Sequence, residues 1–221
     1  VARRFLKGPI VGGTNTYFAE LNRERPPADL LDATCYSINP QVHAFDNTTL
    51  VENLEAQGDT LRTCRAFIGA KPIVVTPVTL RPRFNPQAPA PQPALPPDPR
   101  QKAAFCAAWT LGSLKYLAEN GAASVTYYET HGAGGLLDDA GAFPVHAVFA
   151  RLLSYQEGAM FAAQSSEPLK AVALVVEKPR RRLTLVANLT ASPVVARCPG
   201  TTANGLIPLL PHDVQAFDKM I

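Results

Sequence analysis

Apolar runs in this chain end abruptly in polar residues, and the pattern occurs four times: IVGGTNTYFAELN (10–22), ATCYSINPQVHAFD (33–46), PIVVTPVTLRPRFN (72–85) and AASVTYYETH (122–131). Short β-branched and aromatic runs bounded by Pro, Gly and Asn predict strands at 9–15, 33–40, 72–76 and 124–128. Ile73, Val74 and Val75 stand in a row, as in a parallel strand covered on both faces. Between the strands the apolar period lengthens to that of a helix. Leu50, Val51, Leu54, Leu61, Cys64, Phe67 and Ile68 predict a helix over 47–69, with Thr49 and Glu52 as a capping box and Gly58 as a kink or break. Asp98 and Pro99 supply an N-cap and a first-turn proline for a helix over 100–120 that Gly121 ends. Ala104, Phe105, Ala108, Trp109, Leu111, Leu114 and Leu117 give that helix one broad apolar face. Shorter helices are predicted at 28–31 and 144–153. From residue 170 the texture changes: KAVALVVE, the basic turn KPRRR and LTLVANLT predict an antiparallel hairpin, with further strands in VVARC and DVQAF.

Strand and helix alternate four times and then stop, which amounts to half of an eight-stranded barrel. The expected fold class is α/β, the C-terminal half of a TIM (β/α)8 barrel followed by part of an antiparallel β-sandwich module. The partial barrel is assigned to 1–160 and the β-rich accessory module to 161–221. Half a barrel leaves two raw sheet edges, so the remainder of the same polypeptide is expected to complete it. Residues 80–99 are rich in proline and show neither period, so they are expected to form a lid over a site.

Composition narrows the function classes. The chain has 221 residues, 47% of them hydrophobic and 18% charged, with a net charge of +3, an ordinary globular balance. Its basic residues lack the interleaved aromatics of a single-strand groove, so no nucleic-acid partner is expected. No apolar run is long enough to span a bilayer, and no leader peptide is visible, so no membrane role and a cytoplasmic location are expected. Cys35, Cys64, Cys106 and Cys198 are widely spaced and read as buried free thiols. No zinc-type spacing is present, so neither a metal nor a cofactor is expected. Asn47 and Asn188 begin sequons that matter only in a secreted chain.

The candidate chemistry sits at the strand ends. Glu129 and His131 are two apart and on one side of an extended chain, and the run before Glu129 is expected to be mostly buried. A carboxylate there needs a partner or a raised pKa, which suits acid or base work. Glu20 and Asn22 follow the first strand, so Glu20 and Glu129 are candidates to face each other across a barrel mouth. His43 and Asp46 form a possible imidazole and carboxylate pair, although Asp46 also suits a helix cap. Arg81, Arg83 and Asn85 are candidate substrate binders, since a guanidinium fork matches carboxylate or hydroxyl arrays. No nucleophile elbow, phosphate loop or dinucleotide fingerprint appears.

GGTNTYFAELNR (12–23), YSINPQVHAFD (36–46), TPVTLRPRFN (76–85), DPRQ (98–101), AAWTLGSLKYLAENGAASVTYYET (107–130) and VANLT (186–190) together resemble the D-apionate lactonase family. That resemblance implies a glycosidase-like TIM barrel with an accessory β module, acting on a small-molecule sugar lactone, in members longer than this chain. It implies that Glu20 and Glu129 fall where barrel glycosidases place their acid and nucleophile. The expected reaction is hydrolysis of a sugar-acid lactone to the free aldonate. Glu129, His131 or His43 would activate water, and Glu20, Asn22 or an arginine would donate to the developing oxyanion. The alternatives are a glycoside hydrolase with paired glutamates and a non-catalytic carbohydrate-binding protein.

Overall fold

Strands β1 (Val11–Tyr17), β2 (Ala33–Ile38), β3 (Ile73–Val78) and β4 (Ser124–Tyr127) lie side by side in chain order, all parallel, in a computed structural model that describes residues 2–85, 88 and 95–221. Gly12 faces Thr34, Thr34 faces Ile73, and Val75 faces Val125. Sequential parallel order requires each connection to cross over on the same face, which is the winding of a barrel wall. Among the described residues β1 and β4 each pair with one strand of this sheet, so it is a partial barrel and not a closed one.

The crossovers are α1 (Phe18–Arg23), α2 (Asn47–Glu52), α3 (Leu54–Ile68) and α4 (Ala104–Glu119), and α5 (Pro144–Leu153) follows the fourth strand. The continuous helix expected over 47–69 is instead two helices that meet at Asn53. Asp46, not Thr49, caps the first of them by accepting from the Thr49 N–H. Gly58 does not break α3. It is buried under Asn120, and a Cβ there would lie 2.5 Å from Asn120 Nδ2, so the missing side chain lets the end of α4 approach. Asp98 caps a 3₁₀ turn, Pro99–Lys102, that precedes α4.

Helix α4 departs from the single-face expectation. Every residue from Phe105 to Ser113 is buried. A helix buried all round must be covered on both sides, and α4 is: its apolar residues join one core with Leu54 and Leu61 of α3 and with residues of the β-rich region. Trp109 is fully buried there, its indole N–H satisfied by the Leu50 carbonyl at 2.9 Å.

After β4 the chain forms a small sheet from β5 (Glu129–His131), β6 (Gly135–Asp138) and β7 (Gly141–Ala142). The β-rich region is an antiparallel sheet in the order β13 (Val214–Met220), β10 (Arg181–Asn188), β9 (Ala171–Lys178), β8 (Ala159–Phe161), with a separate ribbon of β11 (Val194–Arg197) and β12 (Leu206–Leu209). Val172 and Leu174 of β9 and Leu185 of β10 enter the α4 core, whereas Val186 packs with Ile207 and Leu209 of the ribbon. The period of two along β10 thus serves two cores at once. Asn188 is buried and donates to the Ser192 and Leu210 carbonyls, so its sequon is spent on a turn. All four cysteines are free; Cys64 and Cys106 are buried as expected, but Cys35 and Cys198 are only half-buried. Burial pushes both the Cys64 and Cys106 thiols up to about 11, which keeps them protonated and unreactive at neutral pH.

Gly13 is the tightest point of the parallel sheet. A Cβ there would collide with the Cys35 carbonyl of β2, and the register shifts immediately beyond it. Because the obstacle is backbone, it cannot rotate away. Gly13→Ala is expected to destabilise the chain by about 1–3 kcal/mol, the cost of an overpacked site, read as a lowered urea midpoint; an unchanged midpoint would show that β1 yields freely.

Candidate active site

Parallel strands deliver their C-terminal ends to one side of the sheet, and the polar residues that follow β3 and β4 converge there. Burial anchors the end of β4. Tyr127 and Tyr128 fill the space against α4, with the Tyr127 hydroxyl 2.8 Å from Ser113 Oγ and the Tyr128 hydroxyl 2.7 Å from Thr110 Oγ1. Desolvation raises both phenols, so neither ionises at neutral pH. Tyr128 has φ 53, a left-handed conformation rare outside glycine, and this turns the next residue, Glu129, out of the core. A local outlier whose ring packs on Tyr127 and whose hydroxyl is held by Thr110 is the kind of strain found at functional positions.

Glu129 is exposed, contrary to the burial expected of its segment, because that turn reverses the strand alternation. It lines a cleft of about 150 Å³ together with Arg81, Arg83, Asp98, Gln101 and Tyr128. Among the described residues its carboxylate has no hydrogen-bond or ion-pair partner. Gly134 lies beside it, where a Cβ would stand in ordinary contact at 3.6 Å from Glu129 Oε2. Arg81 is steadied by one bond to the Pro96 carbonyl at 3.1 Å, and Arg83 by Asn15, through its carbonyl at 2.8 Å and Oδ1 at 3.0 Å. Each guanidinium has five donors, so both keep capacity for a ligand.

Asp98 differs from Glu129 in being fully committed. Burial alone would raise its pKa, but the Arg100 side chain, the Gln41 amide and the Arg100 N–H outweigh that and hold it at about 2. Gln41 donates both to Asp98 and to the Leu80 carbonyl, each at 2.5 Å, joining the loops after β2 and β3 to the start of α4. Gln101 reaches the Gly135 carbonyl at 2.9 Å and ties the same floor to β6. Sequence reasoning gave neither glutamine a role, since a buried amide that joins loops leaves no period or motif.

The other candidates lie elsewhere. Glu20 reaches back to the Tyr17 N–H at 3.2 Å as half of a capping box and pairs with Arg23 at 3.7 Å, and it is outside the Glu129 cleft. Asn22 accepts from Arg25 at 2.8 Å. Asp46 spends both oxygens on Thr49, which removes it as a partner for His43. His43 lines a different and larger cleft, over the ends of β1 and β2. His131 turns to the exposed Asp139 at 3.1 Å. Asn85 is exposed at the described edge of the proline-rich stretch. The centre of that stretch, and with it much of the expected lid, lies outside the described residues; Leu95 and Pro97 at its end line the Glu129 cleft. Among the described residues no cluster of His, Cys, Asp or Glu is arranged to hold a metal ion, and no helix is long and apolar enough to cross a membrane.

Residues 1–157 match the family model described as D-apionate lactonase, TIM barrel domain. A D-apionate lactonase of Brucella anthropi is 39% identical over 82 residues, a stretch that covers 37% of this chain and 14% of that protein. Among solved structures, a GH30 endoxylanase from Clostridium papyrosolvens superposes with a TM-score of 0.57 at 9% identity, covering 96% of this chain and 56% of that one. A bifunctional glucanase-xylanase, CelM2, from a metagenome library gives 0.56 at 12% identity, covering 92% and 46%. At such identities the likeness concerns the fold, and the chain spans about half the length of these structures.

Proposed function

Since the chain belongs to the D-apionate lactonase family through its TIM barrel domain, we propose that it carries part of a hydrolase acting on a sugar-derived substrate, and that the bond cleaved is the ester of a sugar-acid lactone. The observation that carries this reading is a carboxylate without a partner among the described residues, Glu129, in a cleft with two arginines that have donors to spare.

Glu129 takes a proton from water as the oxygen attacks the lactone carbonyl, and the carbonyl electron pair moves onto oxygen. Arg81 or Arg83 stabilises that oxyanion, where preorganised donors contribute most. The carbonyl then re-forms, the ring C–O bond breaks, and the proton passes from Glu129 to the departing ring oxygen. The product acid releases its remaining water-derived proton to solvent and becomes the aldonate, whose new carboxylate suits a guanidinium fork. This assignment keeps both proton transfers on Glu129, because Glu20, His43 and His131 stand outside its cleft. The barrel-completing remainder of the polypeptide belongs to the same proposal.

A glycoside hydrolase is the second reading, favoured by the fold shared with the endoxylanase and CelM2. It needs a second carboxylate facing Glu129, and among the described residues the other carboxylate lining the cleft, Asp98, is bound to Arg100. A panel of aldonolactones, followed by acid release, and of aryl glycosides, followed by chromophore release, separates the two. Turnover of a lactone alone is the expected result. Turnover of a glycoside alone would replace the first reading by the second, and turnover of neither would overturn both.

A further inference from the structure

The cleft over the ends of β1 and β2 has a volume of about 500 Å³ and shares no lining residue with the Glu129 cleft. Two of the residues that line it, Asn39 and Gln57, carry buried amide nitrogens, Nδ2 and Nε2, that have no acceptor among the described residues. Asn39 is 8% exposed and Gln57 4%. The backbone N–H of Gln41 donates to Asn39 Oδ1 at 3.0 Å and fixes that amide, and Gln57 Oε1 accepts from Ser113 Oγ at 2.5 Å. Both NH2 groups are therefore donors in search of oxygen. A buried donor left unsatisfied costs about 1–3 kcal/mol, so two on one cleft wall are a standing incentive to bind acceptors.

The rest of the wall defines what those acceptors belong to. Phe18 and Tyr17 offer half-buried aromatic surface and Ile38 and Val42 aliphatic surface; among the described residues no Lys, Arg, Asp or Glu lines the cleft, and its one basic side chain is the imidazole of His43. Without a fixed cation an anion gains little here, whereas a neutral ring with oxygens on its edge and C–H groups on its face meets both the donors and the apolar wall. The volume falls within the range of small-molecule sites.

We propose that this cleft is a second ligand site, for a neutral, hydroxylated ring of monosaccharide size, held by Asn39 and Gln57. The site does not depend on the reaction assigned to Glu129, and its test reads binding rather than turnover. The side-chain amide resonances of Asn39 and Gln57 in the full-length protein are followed by NMR during titration with methyl β-D-xylopyranoside, a neutral probe, and with sodium gluconate, an anionic one. The expected result is a saturable shift of both amide pairs with the neutral probe and none with gluconate. Asn39→Asp, which keeps the acceptor for Gln41 but loses the donor, weakens the neutral probe's binding at least about tenfold. Val42→Trp, placed on the exposed rim, abolishes the shifts without touching the core, and it serves if Asn39→Asp fails to fold. Amide pairs that stay still, respond equally to gluconate, or keep responding in Val42→Trp would each overturn the proposal; the first is also the outcome if water or another segment of the chain fills the cleft.

Discussion

Glu129→Gln is expected to lower kcat/KM for a lactone substrate at least about a hundredfold, the contribution of a positioned general base, while leaving stability within about 0.5 kcal/mol. Both halves follow from its setting. Glu129 is exposed and bonds no other described residue through its carboxylate, so glutamine removes no structural contact. The turn that presents it is fixed by Tyr128, which is anchored to Thr110 and Cys106 and is untouched by the change. What glutamine loses is the ability to take the proton from water. Formate added to Glu129→Ala should restore part of the turnover by supplying a carboxylate to the vacated space. Turnover in Glu129→Gln near that of the parent would remove Glu129 from the mechanism. Glu20→Gln is the contrast: its carboxylate caps α1, so the expected change in kcat/KM is small.

Asp98→Ala is expected to cost about 1–3 kcal/mol, the penalty for leaving buried donors without their acceptor. Asp98 accepts from Arg100 Nε and Nη2 at 2.8 Å each, from the Arg100 N–H at 2.9 Å and from Gln41 at 2.5 Å. Alanine unties the 3₁₀ cap, one bond of Gln41 and two of the guanidinium's bonds together, leaving Arg100 its bonds to the Phe45 carbonyl and Asn47. The pH dependence has a definite sign. With a folded value of about 2 against an ordinary 3.8, the folded state favours the ionised form. Its contribution is therefore complete above about pH 4 and is lost as the pH falls towards 2. Urea midpoints between pH 4 and pH 2 should decline less steeply in Asp98→Ala than in the parent. Parallel declines, or a loss below 1 kcal/mol at pH 7, would show that the cluster is incidental.

The elements that burial builds were plain in the sequence. The row Ile73, Val74, Val75 gave a parallel strand, residues 144–153 gave α5 to the residue, and the hairpin around the basic turn fell where alternation placed it. Such patterns are legible because each residue's environment repeats with the local period. The candidate site was legible only in part. Placement at strand ends pointed to Glu129, Arg81 and Arg83, which share a cleft, and equally to Glu20, Asp46 and His131, which do not join them. Those three are taken up by neighbours: the Tyr17 N–H, Thr49 and Asp139. An acid three residues from a helix start serves a cap or a reaction with the same letters in the same order.

By itself, then, the sequence determined the order of strands and helices, the change of texture near residue 170 and the resemblance to a family of lactonases, all of which rest on local periods or on contiguous blocks. Tertiary structure alone decided that α4 is buried all round by a second sheet, that Tyr128 turns Glu129 out of the core, and that Asp98, Gln41 and Arg100 close into one cluster. Each of these depends on groups distant in the chain competing for the same volume or the same proton. Hydrophobic period records which side of an element is buried; it does not record which distant polar group satisfies a given carboxylate, and that pairing is what leaves Glu129 free and Asp98 bound.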